Sequence, residues 1–239
     1  MNAYHLLNEA YPYKTELHAH TKPCSPCSEI LPADVVRRYA ALGCHSVAIT
    51  NHMIPEQFLG DAAWLCAESY LADYYAAAEE GKRVGVSVIL GVELRFCESN
   101  NDYLVFGISP EDIEPMIHLI PAGIEEFYRA FKNPKNLILQ AHPFRKGCEP
   151  APKDSVDGME VFNLHPGHNS RVAVAAKHAR ESGLLVTGGT DFHHPNHEGM
   201  CLLRTQGRLR DSYDLAEALR GRDYLLDVWG NLILPYSES

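Results

Sequence analysis

Two histidines one residue apart, His18 and His20 in TELHAH (15–20), carry the first sign of chemistry in the chain. On an extended strand, residues i and i+2 face the same way, so both imidazoles share one side and Ala19 takes the other. Asp191-Phe192-His193 repeats that spacing, with Asp191 and His193 on one face and Phe192 opposed. His52 ends SVAITNH (46–52), Glu93 interrupts VSVILGVELRF (86–96), and His142 ends NLILQAH (136–142). A carboxylate buried unpaired in an apolar strand is costly, so Glu93 must face a cation or an arginine. Imidazoles and carboxylates together form the donor set of a nitrogen–oxygen metal site. A single strand-end histidine is more often a hydrogen-bonded core or surface residue than a ligand. The conjunction is what reads as a centre.

These residues need elements to bring them together. Besides the four runs above, DYLVFGI (102–108), GMEVFN (158–163) and LLVTGGTDFH (184–193) read as strands. Helical patterns alternate with them. LPADVVRRYAALG (31–43) turns Val35, Val36, Tyr39, Ala40 and Leu42 to one side and stops at Gly43. Residues 61–82 read as one helix and 111–132 as two pieces broken near Pro121. Residues 169–183 run from an Asn169 N-cap to Gly183, and 211–220 form a last helix closed by Gly221. Strand then helix, repeated, predicts an α/β fold with a largely parallel sheet, and the length suits a (β/α) barrel. A doubly wound sheet is the alternative, weakened by the lack of a glycine-rich phosphate loop after the first strand. In such barrels the C-terminal strand ends converge, which is where the candidate ligands lie.

The bulk numbers fit one unit spanning 1–239: 239 residues, 46% hydrophobic and 22% charged. A formal net charge of -10 argues against general nucleic-acid binding. No apolar run approaches a membrane span, and MNAYHLLNEAYPYK lacks the pattern of a secretion signal. Seven scattered cysteines then predict free thiols in a reducing cytoplasm.

ELHAHT, AITNH, GVELRF, QAHPFR, GMEVFN and GGTDFHH occur in that order. The series resembles the successive motifs of the PHP (polymerase and histidinol phosphatase) superfamily of metal-dependent phosphoesterases, from about residue 13 to 230. The resemblance implies a distorted seven-stranded (β/α)7 TIM-like barrel and two or three divalent metal ions, Zn, Mn or Fe. By motif match, His18, His20, Glu93 and Asp191 resemble the first metal's ligands. Glu93 would bridge to a second metal held also by His142, and His52 and His193 would serve a third.

The match departs from the family pattern in three places. Ser25 and Pro26, within CSPCSE, stand where many members place a further ligand. Cys24 or Cys27 could supply it, although a lone pair of this spacing is more often two packed free thiols. Asp102-Tyr103 stand where a histidine completes the second site, and His118 lies in a helical pattern on the surface. Asn51 replaces an aspartate expected to orient the neighbouring ligand.

The chemistry implied is hydrolysis of a small-molecule phosphomonoester or diester by hydroxide formed on the metals. No GxSxG, P-loop or GxGxxG offers another route. Arg145, on the loop after His142, suits phosphate oxygens, with Lys146 as substitute and a plain surface role as the alternative. His165, His168, His194 and His197 fall on loops near strand ends, where one could act as general acid. Substrate contacts are expected from loops 53–64, 97–102, 121–133 and 143–157. The rival readings are an amidohydrolase-like metal hydrolase, a polymerase-associated exonuclease module, and a metal-stabilised binding protein without catalysis.

Overall fold

The computed structural model describes residues 2–236; Met1 and residues 237–239 of the expected 1–239 unit lie outside the described residues. Its helices are α1 (Ala3–Ala10), α2 (Pro32–Ala41), α3 (Pro55–Phe58), α4 (Ala67–Val84), α5 (Ile113–Leu119), α6 (Ile124–Phe131), α7 (Val172–Ser182) and α8 (Ser212–Gly221). The first six strands are β1 (Tyr13–Ala19), β2 (Ser46–Ile49), β3 (His52–Met53), β4 (Ser87–Leu90), β5 (Val92–Arg95) and β6 (Asp102–Phe106). The rest are β7 (Leu137–Gln140), β8 (Gly158–Asn163), β9 (Leu185–Gly189), β10 (Cys201–Thr205), β11 (Leu225–Val228) and β12 (Asn231–Ile233).

The strands form two six-stranded sheets, ordered β12-β11-β10-β1-β2-β4 and β3-β5-β6-β7-β8-β9. Both are mixed, which corrects the expected largely parallel sheet. β5, β6 and β7 pair antiparallel, as do β1, β10, β11 and β12. The reason lies in the connections. Only residues 96–101 join β5 to β6, too short for the crossover a parallel pair needs. Trp229 and Gly230 both take positive φ (50° and 78°), which closes the β11–β12 hairpin without the usual Asn-Gly signal. β10 to β12 and α1 were not read from the sequence.

No continuous ladder closes a barrel among the described residues, but the sheets meet at two seams. β2 passes into β3 through Thr50-Asn51 and β4 into β5 through Gly91, and each chain changes sheet as it does so. A Cβ at Gly91 would lie 2.7 Å from the Phe106 ring and 2.8 Å from the Thr50 methyl, so the close approach there requires glycine. At the other seam Ala19 bridges Phe192 in parallel. Both residues are fully buried in one apolar cluster with Val35, Val36 and Tyr39. Ala19 and Phe192 therefore face the core, as the alternation predicts, and leave their histidine and aspartate neighbours to face elsewhere.

Helix ends move by a few residues from their expected places. α4 starts at Ala67 rather than 61, where the Ser69 hydroxyl caps the Cys66 N–H at 2.9 Å. α7 starts after Arg171; Asn169 accepts the Arg171 N–H at 3.0 Å instead of capping the helix. α8 is capped by Asp211 and runs through Gly221 to Arg222, whose φ is +59°. The break near Pro121 falls as predicted, between α5 and α6. Leu42 leaves the buried stripe of α2 and is 41% exposed. Among the described residues no helix is long and apolar enough to cross a membrane.

Candidate metal centre

All seven expected ligands lie at strand ends, and the fold brings them together. His18, His20, Glu93, His142 and Asp191 are almost wholly buried, and His193 is 8% exposed. His142 (φ +30°) and Asp191 (φ +56°) hold left-handed backbone, a strained state found preferentially at functional sites.

Glu93 is the hub. Its Oε1 lies 3.2 Å from His18 Nε2 and 3.0 Å from His142 Nε2; its Oε2 lies 3.3 Å from His20 Nε2 and 2.7 Å from His52 Nδ1. Asp191 Oδ1 faces His18 Nε2 at 3.5 Å, His20 Nε2 at 3.4 Å and His193 Nδ1 at 3.3 Å. Three groups have ligand atoms within 4.8 Å of one another: His18/His20/Asp191, His20/His52/His193 and Glu93/Asp102/His142.

The hydrogen bonds around the cluster free its lone pairs. His18 Nδ1 meets Glu160 Oε1 at 2.9 Å, so Nδ1 carries the donor proton and Nε2 turns inward. His20 Nδ1 meets Ser25 Oγ at 3.3 Å. The Ser25 hydroxyl donates to Asn51 Oδ1 at 3.0 Å, so it accepts from His20, whose Nε2 also turns inward. His18 Nε2, His20 Nε2, His52 Nδ1 and Glu93 Oε2 then lie buried without a hydrogen-bond partner despite their short separations. Buried polar atoms that crowd one another unpaired are the pattern expected where a cation should sit. The nitrogen–oxygen donor set fits a divalent transition metal.

The electrostatics agree. Burial opposes charge on Glu93, but the imidazoles of His18 and His52 outweigh it and hold the carboxyl well below its usual range. Burial opposes charge on Asp191 too, and His18 again overcomes it. Burial would lower His18, yet Glu160, Glu93 and Asp191 raise it well above the ordinary imidazole value. His20 goes the other way, lowered by burial and by the neighbouring His193 and His52 rings.

Several positioning groups were missed in the sequence. Glu160, from GMEVFN, holds His18, and its Oε2 accepts the His142 N–H at 3.2 Å and Asn163 Nδ2 at 2.9 Å. Glu16, fully buried, accepts the Leu17 and His18 N–H groups and the Thr190 N–H, and its other oxygen takes Tyr39 Oη at 2.7 Å. It ties β1 to the segment carrying Asp191. Burial raises its pKa against those bonds. Glu160 is a charge inside an apolar run, the signal that singled out Glu93, whereas Glu16 lies among Lys14, Thr15 and His18 and carries no such mark.

The places that depart from the family pattern are all structured. Asn51 is no loose substitute: its Oδ1 accepts the Thr21 N–H at 2.7 Å, and its Nδ2 donates to Thr21 Oγ1 at 2.7 Å. Asp102 is gripped by both arms of Arg95, at 2.7 and 2.8 Å, and stands 3.7 Å from His142 Nε2. Cys24 is a core thiol, pushed far up by burial beside Asp73. Cys27 is exposed, on the segment that passes over His20 and His193. Burial raises its pKa, but the His193 and His52 imidazoles prevail and bring it to about 6.

Arg145 reaches the centre from its loop, with Nη2 on Asp191 Oδ2 and on Asn163 Oδ1, while its buried Nε has no partner. Lys146 makes no such contact among the hydrogen bonds and ion pairs described. His165, His168, His194 and His197 form a rim, His165 reaching His193 with ring centroids 5.6 Å apart. The Gly167 N–H donates to His165 Nδ1 at 3.0 Å, so a neutral His165 carries its proton on Nε2. Burial lowers its pKa to about 4, so at neutral pH it can offer a hydrogen bond but no labile proton. His118 pairs with Glu114 on the surface, as expected.

Buried imidazoles and carboxylates converging at strand ends of an α/β fold define a protein with a candidate polynuclear metal centre. The chain belongs to the PHP-domain family, whose model matches residues 16–219. Its fold is similar to that of a two-domain protein from Bacteroides vulgatus described as containing a PHP-like metal-dependent phosphoesterase (TM-score 0.68, 17% identity, 90% of this chain). This chain spans 64% of that protein's length. It is also similar to a protein from Bifidobacterium adolescentis described provisionally as a metal-dependent phosphoesterase (TM-score 0.51, 20% identity, 86% of this chain and 95% of that one). A third likeness is to an amidohydrolase from Chromobacterium violaceum with bound sulfate and no metal (TM-score 0.52, 16% identity, 93% and 98%). At these identities the likeness concerns the fold. No curated protein matches the chain.

Proposed function

We propose that the protein is a metal-dependent phosphoric ester hydrolase acting on a small-molecule phosphomonoester or diester. The observation that carries the reading is Glu93, fully buried, with four imidazoles around its two oxygens and unpaired lone pairs turned inward. Two or three divalent cations of the Zn, Mn or Fe type held there would supply the activated water and the positive charge that phosphoryl transfer needs.

The chain's own residues do the rest. His18, His20 and Asp191 form one ligand set, Glu93 and His142 a second, and His52 and His193 a third. Glu160 and Ser25 fix the tautomers of His18 and His20. Arg145 holds Asp191 through one oxygen, leaving the other for a cation, and its guanidinium, 19% exposed, would meet a phosphoryl oxygen from its solvent side. His165 Nε2–H offers a neutral donor at the rim. The burial of His18, His20, Glu93, His142 and Asp191 strengthens the interactions they make.

We further read the strands β1, β2–β3, β4–β5, β6, β7, β8 and β9 as one distorted seven-stranded barrel in a single domain, with the centre at its mouth. Support comes from the Ala19–Phe192 bridge and from chains shared across the other seam. The free cysteines fit a reducing cytoplasm.

A phosphate-release screen over nucleotides, sugar phosphates and other metabolite esters, run with Mn, Zn, Fe and Mg in turn, tests the reading. Release from at least one ester, abolished by chelator, is expected. Cleavage of amides alone would favour the amidohydrolase reading, and cleavage of neither would favour a binding protein.

A further inference from the structure

Two residues of GMEVFN (158–163) serve the centre although they stand three apart. On a regular strand, Glu160 and Asn163 would point to opposite faces. The register of β8 on β9 slips between them: Glu160 pairs with Thr187, whereas Phe162 and Asn163 pair with Gly188 and Gly189. The extra residue brings Asn163 round to the side that Glu160 occupies, as a bulge beside a site does. The partner strand makes room for both. A Cβ at Gly189 would lie 2.6 Å from His18 Cβ and 2.8 Å from Glu160 Oε1, and one at Gly188 would lie 2.9 Å from Phe162 Cβ.

Asn163 is buried, and its amide is fully engaged. Nδ2 donates to Glu160 Oε2 at 2.9 Å and to Asp191 Oδ2 at 3.2 Å. Oδ1 accepts from Arg145 Nη2 at 3.2 Å, from the Ser170 hydroxyl at 3.2 Å and from the His165 N–H at 3.3 Å. The orientation is forced, because a carboxylate takes only donors and a guanidinium or N–H takes only an acceptor. These bonds divide the work of the Asp191 oxygens. Oδ2 is held by Asn163 and Arg145, while Oδ1 faces His18, His20 and His193. Through Glu160 the same amide reaches His18 Nδ1 and the His142 N–H.

We propose that Asn163 is a positioning residue of the centre. It pins Asp191 Oδ2 away from the cation, so that Asp191 serves as a one-oxygen ligand through Oδ1. It also locks that ligand to Glu160, which orients His18. Groups that hydrogen-bond a ligating carboxylate set its direction and hence its affinity for metal. The proposal rests on the reading of this cluster as a metal centre, but not on the reaction assigned to it.

Zinc affinity of the chelator-stripped full chain, measured by competition with a chromophoric chelator, is the test. Asn163→Ala should bind zinc roughly ten- to 100-fold more weakly at unchanged stoichiometry. Ser170→Ala removes a partner of the same amide but touches neither carboxylate, and should stay within about twofold of the parent. Arg145 shares Asp191 Oδ2 with the amide, so the loss in the double variant with Arg145→Ala should depart from the product of the single losses by about threefold or more. The unaltered protein gives an independent readout by isotope-edited magnetic resonance. The Asn163 side-chain NH2 should exchange with water roughly tenfold or more slowly than that of exposed Asn100, and its signals should shift on zinc addition. Weakened zinc binding in Asn163→Ala, with no ester cleaved by the parent, would uphold this role and sink only the proposed reaction. Parent-like affinity in Asn163→Ala, an equal loss in Ser170→Ala, losses that simply multiply with Arg145→Ala, no zinc uptake by the parent, or NH2 signals that zinc leaves unmoved would each overturn the proposal. The last readout stands even if the alanine variant fails to fold.

Discussion

The two flanks of the Glu93 cluster solve the same problem in opposite ways. On the His52/His193 flank, the segment 24–29 is folded over the strand ends, and the buried His20 Nε2 and His52 Nδ1 point inward unpaired. On the His142 flank, the added group is Asp102, and Arg95 already holds both of its oxygens. One flank is short of charge compensation and open to a cation. The other carries a cation of its own, a guanidinium. Counting ligand-type residues is therefore not enough, because a carboxylate already paired with arginine must be released before it can serve a metal.

The comparison breaks most visibly at its shared residue. Glu93→Gln should strip metal from both flanks and lower activity by more than about 100-fold, beyond the 10–100-fold typical of losing a group that only orients a ligand. Elemental analysis and circular dichroism check this; full metal content in the variant would make Glu93 a structural carboxylate.

Arg145→Ala should lower kcat/KM by roughly ten- to 150-fold, the worth of a charge-assisted contact. Since Arg145 also braces Asp191, metal affinity should weaken while stoichiometry at saturating metal holds. Steady-state kinetics beside a metal titration separate the two effects.

Arg95→Ala sharpens the contrast directly. Freed from its partner, Asp102 should destabilise the metal-free protein by about 1–3 kcal/mol, the usual penalty of an unsatisfied buried group. Added metal should restore the loss, so the variant's melting temperature should depend more steeply on zinc or manganese than the parent's does. Equal dependence would mean Asp102 takes no part in binding.

A smaller effect concerns protons. Burial lowers His142, but nearby Cys148 and the Glu93 carboxylate, to which its Nε2 donates, prevail and raise it to about 10, and His18 and His52 are raised as well. Without metal these imidazoles hold protons at pH 7 that a cation must displace. Metal binding should therefore release protons, and apparent affinity should fall about tenfold per pH unit for each proton displaced as pH drops. Calorimetry in buffers of different ionisation enthalpy measures the number.

The candidate ligands were legible because five of them carry a local mark and His52 and His142 end strands beside them. His18 with His20 and Asp191 with His193 are period-two pairs, and Glu93 is a charge in an apolar run. Glu160 carries the same mark and Glu16, among polar neighbours, does not, and the roles of both depend on which strand end they meet, which only the fold determines. Arg95 and Asp102 become partners through the β5–β6 register, set by a loop length rather than a motif. The α/β class was readable from alternation, whereas the mixed sheets followed from that short loop and from a Trp-Gly turn that resembles no common hairpin signal.

If cations held around Glu93 carry out phosphate ester hydrolysis, activity must follow metal loading. The most direct measurement follows phosphate release from the best ester while the chelator-stripped protein is titrated with manganese or zinc and bound metal is counted. No release is expected from the stripped protein, with activity returning in step with two or three bound ions per chain. Release by the stripped protein, or full metal loading with no release from any ester, would contradict it.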